Sequence, residues 1–282
     1  MGESVGKFIV FWDRRRPCYA FAMRLSTKLL VCTAVFLAIE GCSRAAKAPA
    51  TDEIVTRPEP GLLSSSDVIP TSAGKVRIVP VRHGTLRLEI EETIVWIDPW
   101  SEAPLDGPKA DVVLVTDIHP DHYDPEGLAR VTKPETKVIA PPVVAEKVPG
   151  AIALANGESR DLGTFRVTAV PMYNLKRGPE PGKRYHDKGR GNGYLIEVGG
   201  KRIYVSGDTE CTEEMKALED VDVAFVSMNL PYTMPPSEAA ECIRAFGPRI
   251  VYPYHYRGSD LEELREALAD RDDIELRIRD WY

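Results

Sequence analysis

Short runs of apolar residues, several of them alternating with polar ones, recur along the chain from residue 76 onward. Glycine, proline, asparagine and aspartate separate most of these runs, which is typical of β-strands. The eleven predicted strands cover residues 76–81, 86–90, 93–97, 112–116, 138–140, 165–170, 194–198, 202–206, 223–226, 250–254 and 274–278. Gly199 and Gly200 separate two of the runs and predict a tight hairpin turn.

Three segments between the predicted strands carry helix signals. Asp124 and Pro125 form a cap and first-turn pair that opens a short helix. Residues 237–246 repeat apolar side chains at helical spacing. Ser259 with Glu262 is a capping box for a third helix. Many short strands with helices between them favour an α/β fold in which two sheets are sandwiched between helices.

The first 42 residues differ from the rest. A basic start from Met23 precedes an apolar stretch over residues 29–39, which predicts a secretory signal too short to span a bilayer. Cys42 after Gly41 resembles a bacterial lipobox, whose cysteine is lipidated, although Glu40 is unusual in that motif and cleavage near residues 48–50 is the alternative. We expect export to the periplasm, with a lipid anchor in a bacterial membrane.

Composition divides the remaining chain into a tether and a folded domain. Residues 43–73 are rich in Ala, Pro, Ser and Thr and predict a flexible tether, which leaves residues 74–282 as the folded domain. Beyond residue 42 there remain 30 basic and 40 acidic side chains, a net charge near −10. This balance disfavours a nucleic-acid partner held through phosphate contacts.

Several common kinds of site are missing from the sequence. Gly200-Lys201 lacks the spacing of a phosphate loop, and no Gly-x-Ser-x-Gly nucleophile motif occurs. Beyond residue 42 only Cys211 and Cys242 remain, too few for a disulfide framework. We expect two buried thiols there, with a single bridge as the alternative.

The histidines carry the strongest chemical signal. The segment Asp117-Ile-His119-Pro-Asp121-His122 puts two carboxylates and two imidazoles directly after an apolar run, and burying so much polarity requires a partner such as a divalent cation. Residues two apart in an extended segment point the same way, so Asp117 and His119 can share one target. Pro120 then turns the chain toward a second point, which predicts two neighbouring metal positions.

Three further candidates lie downstream, where predicted strands meet loops. They are His186, Asp208 and His255, and loops that follow strands in this way converge on a site. His83 follows the first predicted strand and is expected near the site as a hydrogen-bonding group, or alternatively as a structural residue.

The order of these motifs resembles the metallo-β-lactamase superfamily over about residues 75–280. The phrases Gly-Asn-Gly-Tyr at 191–194, Ser-Gly-Asp-Thr at 206–209 and Tyr-Pro-Tyr-His-Tyr at 252–256 are similar to its ascorbate-phosphate-lactonase-like branch. The phospholipase D enzymes acting on N-acyl-phosphatidylethanolamine belong to the same neighbourhood. The resemblance implies an αββα sandwich, with two facing mixed sheets flanked by helices.

The resemblance also implies a set of ligands for two divalent metal ions. The ligands are Asp117, His119, Asp121, His122, His186, Asp208 and His255. His119 matches a ligand of the first ion. His186 is the best match for the third imidazole at that ion, and Asn174 competes with it for the same position in the family alignment. Asp208 matches the carboxylate that bridges both ions in the family. Asp121, His122 and His255 match the ligands of the second ion. Asp117 departs from the family, which usually has histidine there, so manganese or iron becomes an alternative to the expected zinc.

The implied activity is hydrolysis. A metal-bound hydroxide attacks a small anionic ester, lactone or phosphodiester, with Asp121 orienting the water and His83 as a second catalytic candidate. Residues 176–190 hold six basic against two acidic side chains and are expected to capture an anionic substrate, or else form an ordinary surface loop. The candidate pocket tyrosines are Tyr185, Tyr194, Tyr232 and Tyr256. The alternative function is a non-catalytic metal-binding lipoprotein or scaffold whose first metal site is incomplete.

Overall fold

The computed structural model describes residues 67–282, which form two seven-stranded β-sheets and five helices. The predicted signal region, the lipobox cysteine Cys42 and most of the predicted tether lie outside the described residues. Within residues 67–282, no helix combines the length and the apolar character that crossing a membrane requires.

The first sheet contains the strands of the amino-terminal half in chain order. They are β1 (Asp67–Thr71), β2 (Gly74–Arg82), β3 (Thr85–Ile90), β4 (Thr93–Ile97), β5 (Val112–Leu114), β6 (Lys137–Ala140) and β7 (Ile152–Ala153). The pairs from β1 to β4 are antiparallel, whereas the pairs from β4 to β7 are parallel.

The second sheet contains the remaining strands, with β14 at one edge and β8 at the other. They are β8 (Ser159–Asp161), β9 (Arg166–Met172), β10 (Gly191–Val198), β11 (Lys201–Val205), β12 (Val223–Ser227), β13 (Ile250–Tyr254) and β14 (Glu275–Leu276). The pairs from β8 to β11 are antiparallel and those from β11 to β14 are parallel, so both sheets are mixed.

Five helices cover the outer faces of the two sheets. They are α1 (Pro125–Val131), α2 (Pro142–Ala145), α3 (Glu213–Lys216), α4 (Pro236–Phe246) and α5 (Leu261–Ala267). Successive strand residues point to opposite faces. Val95 therefore lies in the core between the sheets, and Trp96 lies in the outer core with α1 and α2. Since α3, α4 and α5 pack on the second sheet in the same way, the predicted αββα sandwich is confirmed.

Each of the eleven predicted strands overlaps an observed strand. The first observed strand, β1, was not predicted and lies within the segment that was predicted to be a tether. β1 pairs with β2 through a turn at Ser72 and Ala73, so the sheet begins at Asp67 rather than at residue 74. The carboxylate of Asp67 accepts hydrogen bonds from the Tyr252 hydroxyl at 2.6 Å and from Arg279 at 2.9 Å. These partners lie far along the chain, so local composition gives no sign of them.

The helix starts follow the predictions with one exception. Asp124 caps α1 as predicted, since its side chain accepts hydrogen bonds from the amides of residues 126 and 127. The predicted capping box at Ser259 is wrong, because the cap of α5 is Asp260, which accepts from the amide of Glu262 at 3.0 Å. The Ser259 hydroxyl instead donates to the carbonyl of Met228.

The two cysteines of the domain form a disulfide. Cys242 on α4 faces Cys211 just before α3, with their Cα atoms 5.5 Å apart. The expectation of two free thiols is therefore wrong. The pairing depends on how α4 packs against the segment before α3, which the spacing of 31 residues does not reveal.

Candidate metal centre

The polar residues of the site follow the carboxyl ends of parallel strands in both sheets. Ligands in α/β sheets commonly bind at such strand ends. In this protein the positions are Asp98 after β4, Asp117 after β5, Asp208 after β11, Asn229 after β12 and His255 after β13. The second half of the Asp117–His122 segment then turns back, as Pro120 predicts, and the amides of His122 and Tyr123 donate to the carbonyl of His119.

The structure brings all seven predicted ligands together, and His83 joins them. They form three groups in which one ligand atom per residue lies within 4.8 Å of the others. The groups are Asp117, His119 and His186; His122, Asp208 and His255; and His83, Asp121 and His255. The shared His255 makes the second and third groups continuous.

Asp208 lies between the groups. Its Oδ2 is 3.4 Å from Nε2 of His122 and 3.5 Å from Nε2 of His186, and its Oδ1 is 3.5 Å from Nε2 of His255. This position fits the bridging role that the family resemblance implies. Asp208 does not cap the following helix, because Thr212 caps α3.

Two buried polar atoms at this point have no hydrogen-bond partner. They are Nε2 of His122 and Oδ1 of Asp208. Buried polar atoms in native proteins are nearly always paired, so two orphaned atoms on side chains that approach within 3.4 Å of each other indicate a missing partner. An imidazole nitrogen and a carboxylate oxygen are both common ligands of divalent metals. The residues therefore fit a metal ion.

Asp98 is a site residue that the sequence prediction missed. Its carboxylate accepts from the Thr116 amide at 2.7 Å and the Thr116 hydroxyl at 2.5 Å, and its Oδ2 lies 2.8 Å from Nδ1 of His122. A carboxylate behind a histidine fixes the proton on Nδ1 and leaves Nε2 for the metal. The signal was present, since Asp98 directly follows a predicted strand as Asp117 does.

Electrostatics at His122 also favour a cation. Burial opposes a charge on the ring, but the carboxylates of Asp121, Asp208 and Asp98 outweigh burial and raise the pKa of His122 well above its usual value. Burial likewise opposes a charge on Asp208, yet His255 and His122 lower its pKa. A divalent ion would take the place of the proton that this cluster attracts.

Asn174 supports His186 rather than competing with it. Oδ1 of Asn174 accepts from the His186 amide and lies 2.8 Å from Nδ1 of its ring. This contact turns Nε2 toward Asp208. Burial lowers the pKa of His186 to about 4, against the opposing effect of Asp208 and Asp117. The ring is therefore neutral near pH 7, which is the form that binds metals.

Asp117 is tied to an arginine as well as to the first group. Arg190 donates from Nε to Oδ1 at 3.1 Å and from Nη2 to Oδ2 at 3.0 Å, while Nδ1 of His119 lies 2.7 Å from Oδ2. Burial would raise the pKa of Asp117, but His119 and the nearby cations lower it. Gly191 makes room for this pair, since a Cβ there would lie 3.2 Å from Oδ1 of Asp117.

His83 orients Asp121 at the other end of the site. Its Nε2 lies 3.1 Å from Oδ2 of Asp121, and its Nδ1 lies 2.8 Å from the hydroxyl of Tyr282. His255 approaches the same carboxylate oxygen at 3.3 Å. His83 and His255 have positive φ angles of 56° and 48°, a strained conformation that functional sites often contain. Gly84 lets the rings approach, since a Cβ there would lie 3.2 Å from Cδ2 of His255.

The basic residues of the 176–190 segment are mostly neutralised. Lys176 and Arg177 both bind Glu238, and the hydrogen bond from Arg177 is the main reason that the pKa of Glu238 falls to about 2. Lys188 binds Glu214 at 2.6 Å, and Arg190 binds Asp117. The segment therefore does not present the predicted excess of positive charge.

A cavity of about 630 Å³ opens above the three groups. His119, Asp121, His186, Asp208 and His255 line its floor, and Arg257 lies at its wall. Of the four candidate pocket tyrosines, Tyr185 and Tyr232 line the cavity. Tyr194 is buried and donates to the carbonyl of Val115, and Tyr256 donates to that of Arg279, so neither of these two faces a substrate.

Known proteins are similar to this chain in sequence and in fold. The family model of the beta-lactamase superfamily domain matches residues 77–255. The UPF0173 metal-dependent hydrolase of Anaeromyxobacter sp. (strain K) is 31% identical over 212 residues, which cover 65% of this chain and 77% of that protein. That of Thermococcus onnurineus (strain NA1) is 29% identical over 181 residues, covering 59% of this chain and 78% of the relative.

A solved structure agrees with these relatives. The crystal structure of a candidate metal-dependent hydrolase from Parabacteroides distasonis superposes with a TM-score of 0.72 at 38% identity, covering 77% of this chain and 99% of that one. The family model spans more than half of the chain, and the matched region contains all seven candidate ligands. The chain therefore belongs to the metallo-β-lactamase superfamily and is one of its metal-dependent hydrolases.

Proposed function

We propose that the protein hydrolyses a small anionic ester, lactone or phosphodiester with the help of two divalent metal ions. The observation that supports this most strongly is the pair of orphaned buried atoms, Nε2 of His122 and Oδ1 of Asp208, below an open cavity. Asp117, His119 and His186 would hold the first ion. Asp121, His122 and His255 would hold the second, with Asp208 shared. Zinc suits the four imidazoles, and the three carboxylates keep manganese and iron as alternatives.

Bound divalent ions supply Lewis-acid polarisation of the substrate and lower the pKa of water toward 7. The chain supplies the orientation. Burial would raise the pKa of Asp121, but His122 and His255 lower it, so the carboxylate is ionised near neutral pH. Its side chain is 31% exposed, which leaves it able to accept a hydrogen bond from an attacking water. His83 donates a hydrogen bond from Nε2 to Asp121 and accepts one at Nδ1 from the Tyr282 hydroxyl. These two hydrogen bonds hold the Asp121 carboxylate in place.

The test is a metal and substrate survey of the full chain purified without chelators. We expect about two equivalents of divalent metal by elemental analysis. We also expect hydrolysis of at least one anionic substrate among bis(p-nitrophenyl) phosphate, p-nitrophenyl phosphate and a carboxylated lactone. Chelation should stop turnover, and zinc or manganese should restore it. Well-folded protein that takes up no metal and turns over no substrate would favour the scaffold alternative.

We also propose that the protein is exported and lipid-anchored at Cys42. The disulfide between Cys211 and Cys242 supports export, because disulfides form in oxidising compartments such as the periplasm. Mass spectrometry of the protein extracted from membranes should find a diacylglyceryl-modified Cys42 at the mature amino terminus. An unmodified terminus beyond Cys42 would rule out the anchor, and an unprocessed signal region would rule out export.

A further inference from the structure

Arg257 is the one lysine or arginine among the described residues that line the cavity. Its side chain is exposed, and it forms no ion pair within residues 67–282. Its guanidinium lies over the ring of Tyr282, 5.5 Å from the centroid, and its amide donates to the Tyr282 hydroxyl at 2.9 Å. An aromatic ring therefore positions this cation, and its hydrogen-bond donors stay available to a ligand.

The other cations near the cavity are already engaged. Arg190 makes two hydrogen bonds to Asp117, and Arg177 makes two to Glu238. A guanidinium recognises a carboxylate or phosphate through two parallel hydrogen bonds, which these two arginines have used on their own carboxylates. Within the described part of the cavity wall, Arg257 is therefore the positively charged side chain that remains available to bind an anionic substrate.

The cavity wall also carries apolar side chains that solvent reaches. Leu230 is 50% exposed and Tyr232 is 46% exposed, and Pro231 lies between them. The ring of Tyr185 packs edge-on against that of Tyr232, with centroids 5.0 Å apart. Large apolar side chains gathered beside a cavity are typical of surfaces that a ligand covers.

We propose that Arg257 binds the anionic group of the substrate while Leu230, Tyr232 and Tyr185 hold an apolar or aromatic substituent. This inference rests on the proposed function and narrows its substrate class. The preferred substrate is an amphipathic anion, namely an ester or phosphodiester that carries both a negative charge and an apolar group. A polyhydroxylated substrate does not fit this wall, because it would leave the apolar side chains uncovered.

The test compares charged and neutral substrates in the metal-loaded full chain. Arg257→Met should lower kcat/KM for bis(p-nitrophenyl) phosphate roughly tenfold to a hundredfold, the range expected for a lost hydrogen bond to a charged group. It should leave p-nitrophenyl acetate, a neutral ester, within about twofold. Arg257→Lys should recover part of the loss. Arg184→Met is the matched control, since Arg184 bonds only backbone carbonyls and should change neither rate.

Calorimetry provides a readout that does not need turnover. Phenylphosphonate should bind more tightly than methylphosphonate, because both carry the same charge and only the first has a ring for the wall. Tyr232→Ala should reduce this difference, and Arg257→Met should weaken both ligands by a similar factor. Together the two variants separate the role of the charge from that of the apolar wall.

Other results of these experiments would contradict the inference, the role of the apolar wall or the proposed function. If Arg257→Met slows neutral and anionic esters equally, or leaves both phosphonate affinities unchanged, the inference is overturned while the proposed hydrolysis stands. Equal affinities of the wild type for the two phosphonates would overturn the role of the apolar wall. If metal-loaded wild type hydrolyses nothing, the proposed function fails, and calorimetry still decides whether Arg257 binds anions.

Discussion

Replacing Asp208 with asparagine is expected to lower kcat/KM by roughly a thousandfold or more and to reduce the metal content of the purified protein. A metal ion typically supplies several kcal/mol of transition-state stabilisation, and each 1.36 kcal/mol corresponds to a factor of ten. Asp208 faces imidazoles of every group, with His122, His186 and His255 all within 3.5 Å of its oxygens. An amide there removes a negative charge from both proposed ions.

The loss should come from the site and not from the fold. Circular dichroism and thermal melting of the chelated wild type and the chelated Asp208→Asn variant should nearly coincide, because asparagine has almost the same shape. Asp272→Asn is the matched control, since Asp272 is exposed and its side chain has no hydrogen bond or ion pair within residues 67–282. Full metal content and full activity in Asp208→Asn would contradict the proposed centre.

Asp98→Asn should lower metal affinity roughly tenfold to a hundredfold although Asp98 touches no proposed ion. Losses of this size are usual for residues that orient metal-binding histidines. The new amide can satisfy the Thr116 amide with its oxygen, which turns its NH₂ group toward Nδ1 of His122, 2.8 Å from the present oxygen. The imidazole must then accept at Nδ1 and carry its proton on Nε2, where it blocks the metal.

The measurement is a competitive metal titration with a chromogenic chelator, and Thr116→Val is the matched control. That change removes a hydroxyl that donates to Asp98 and also lies 3.0 Å from Nδ1 of His122, but it keeps the Asp98 carboxylate, the nearer acceptor for His122 at 2.8 Å. We expect it to cost about 1 kcal/mol of folding stability with a much smaller change in metal affinity. If both variants lose metal equally, the tautomer of His122 is not the controlling feature.

Asp208 and Asp98 have different positions relative to the proposed metal ions. Asp208 lies among the proposed ligands, whereas Asp98 lies behind one of them. Asp98 also has a positive φ angle, 47°, as do His83 and His255. Such conformations persist only where surrounding contacts enforce them. The backbone at the strand ends is therefore held in place by the two sheets, which keeps the side chains at the positions the chemistry requires.

The layers of the fold and all seven proposed ligands were predicted from the amino-acid sequence and its family resemblance. Strand positions could be predicted because burial of one face of a strand makes apolar and polar residues alternate, and this alternation is visible within a few residues. The ligands could be predicted for a related reason. Asp117 to His122 lie within one short segment, and Asp208 and His255 each follow a strand whose apolar pattern is clear. Parallel strand ends at one edge then bring them together.

The distribution of charge around the site depends on contacts between distant parts of the chain. Arg190 meets Asp117 across 73 residues, Arg177 meets Glu238 across 61, and Asp98 meets His122 across 24. The local sequence of the 176–190 segment predicts a surplus of positive charge, yet its partners come from other elements. The disulfide between Cys211 and Cys242 has the same origin. A local pattern records what one element buries, whereas pairing depends on which elements become neighbours when the sheets pack.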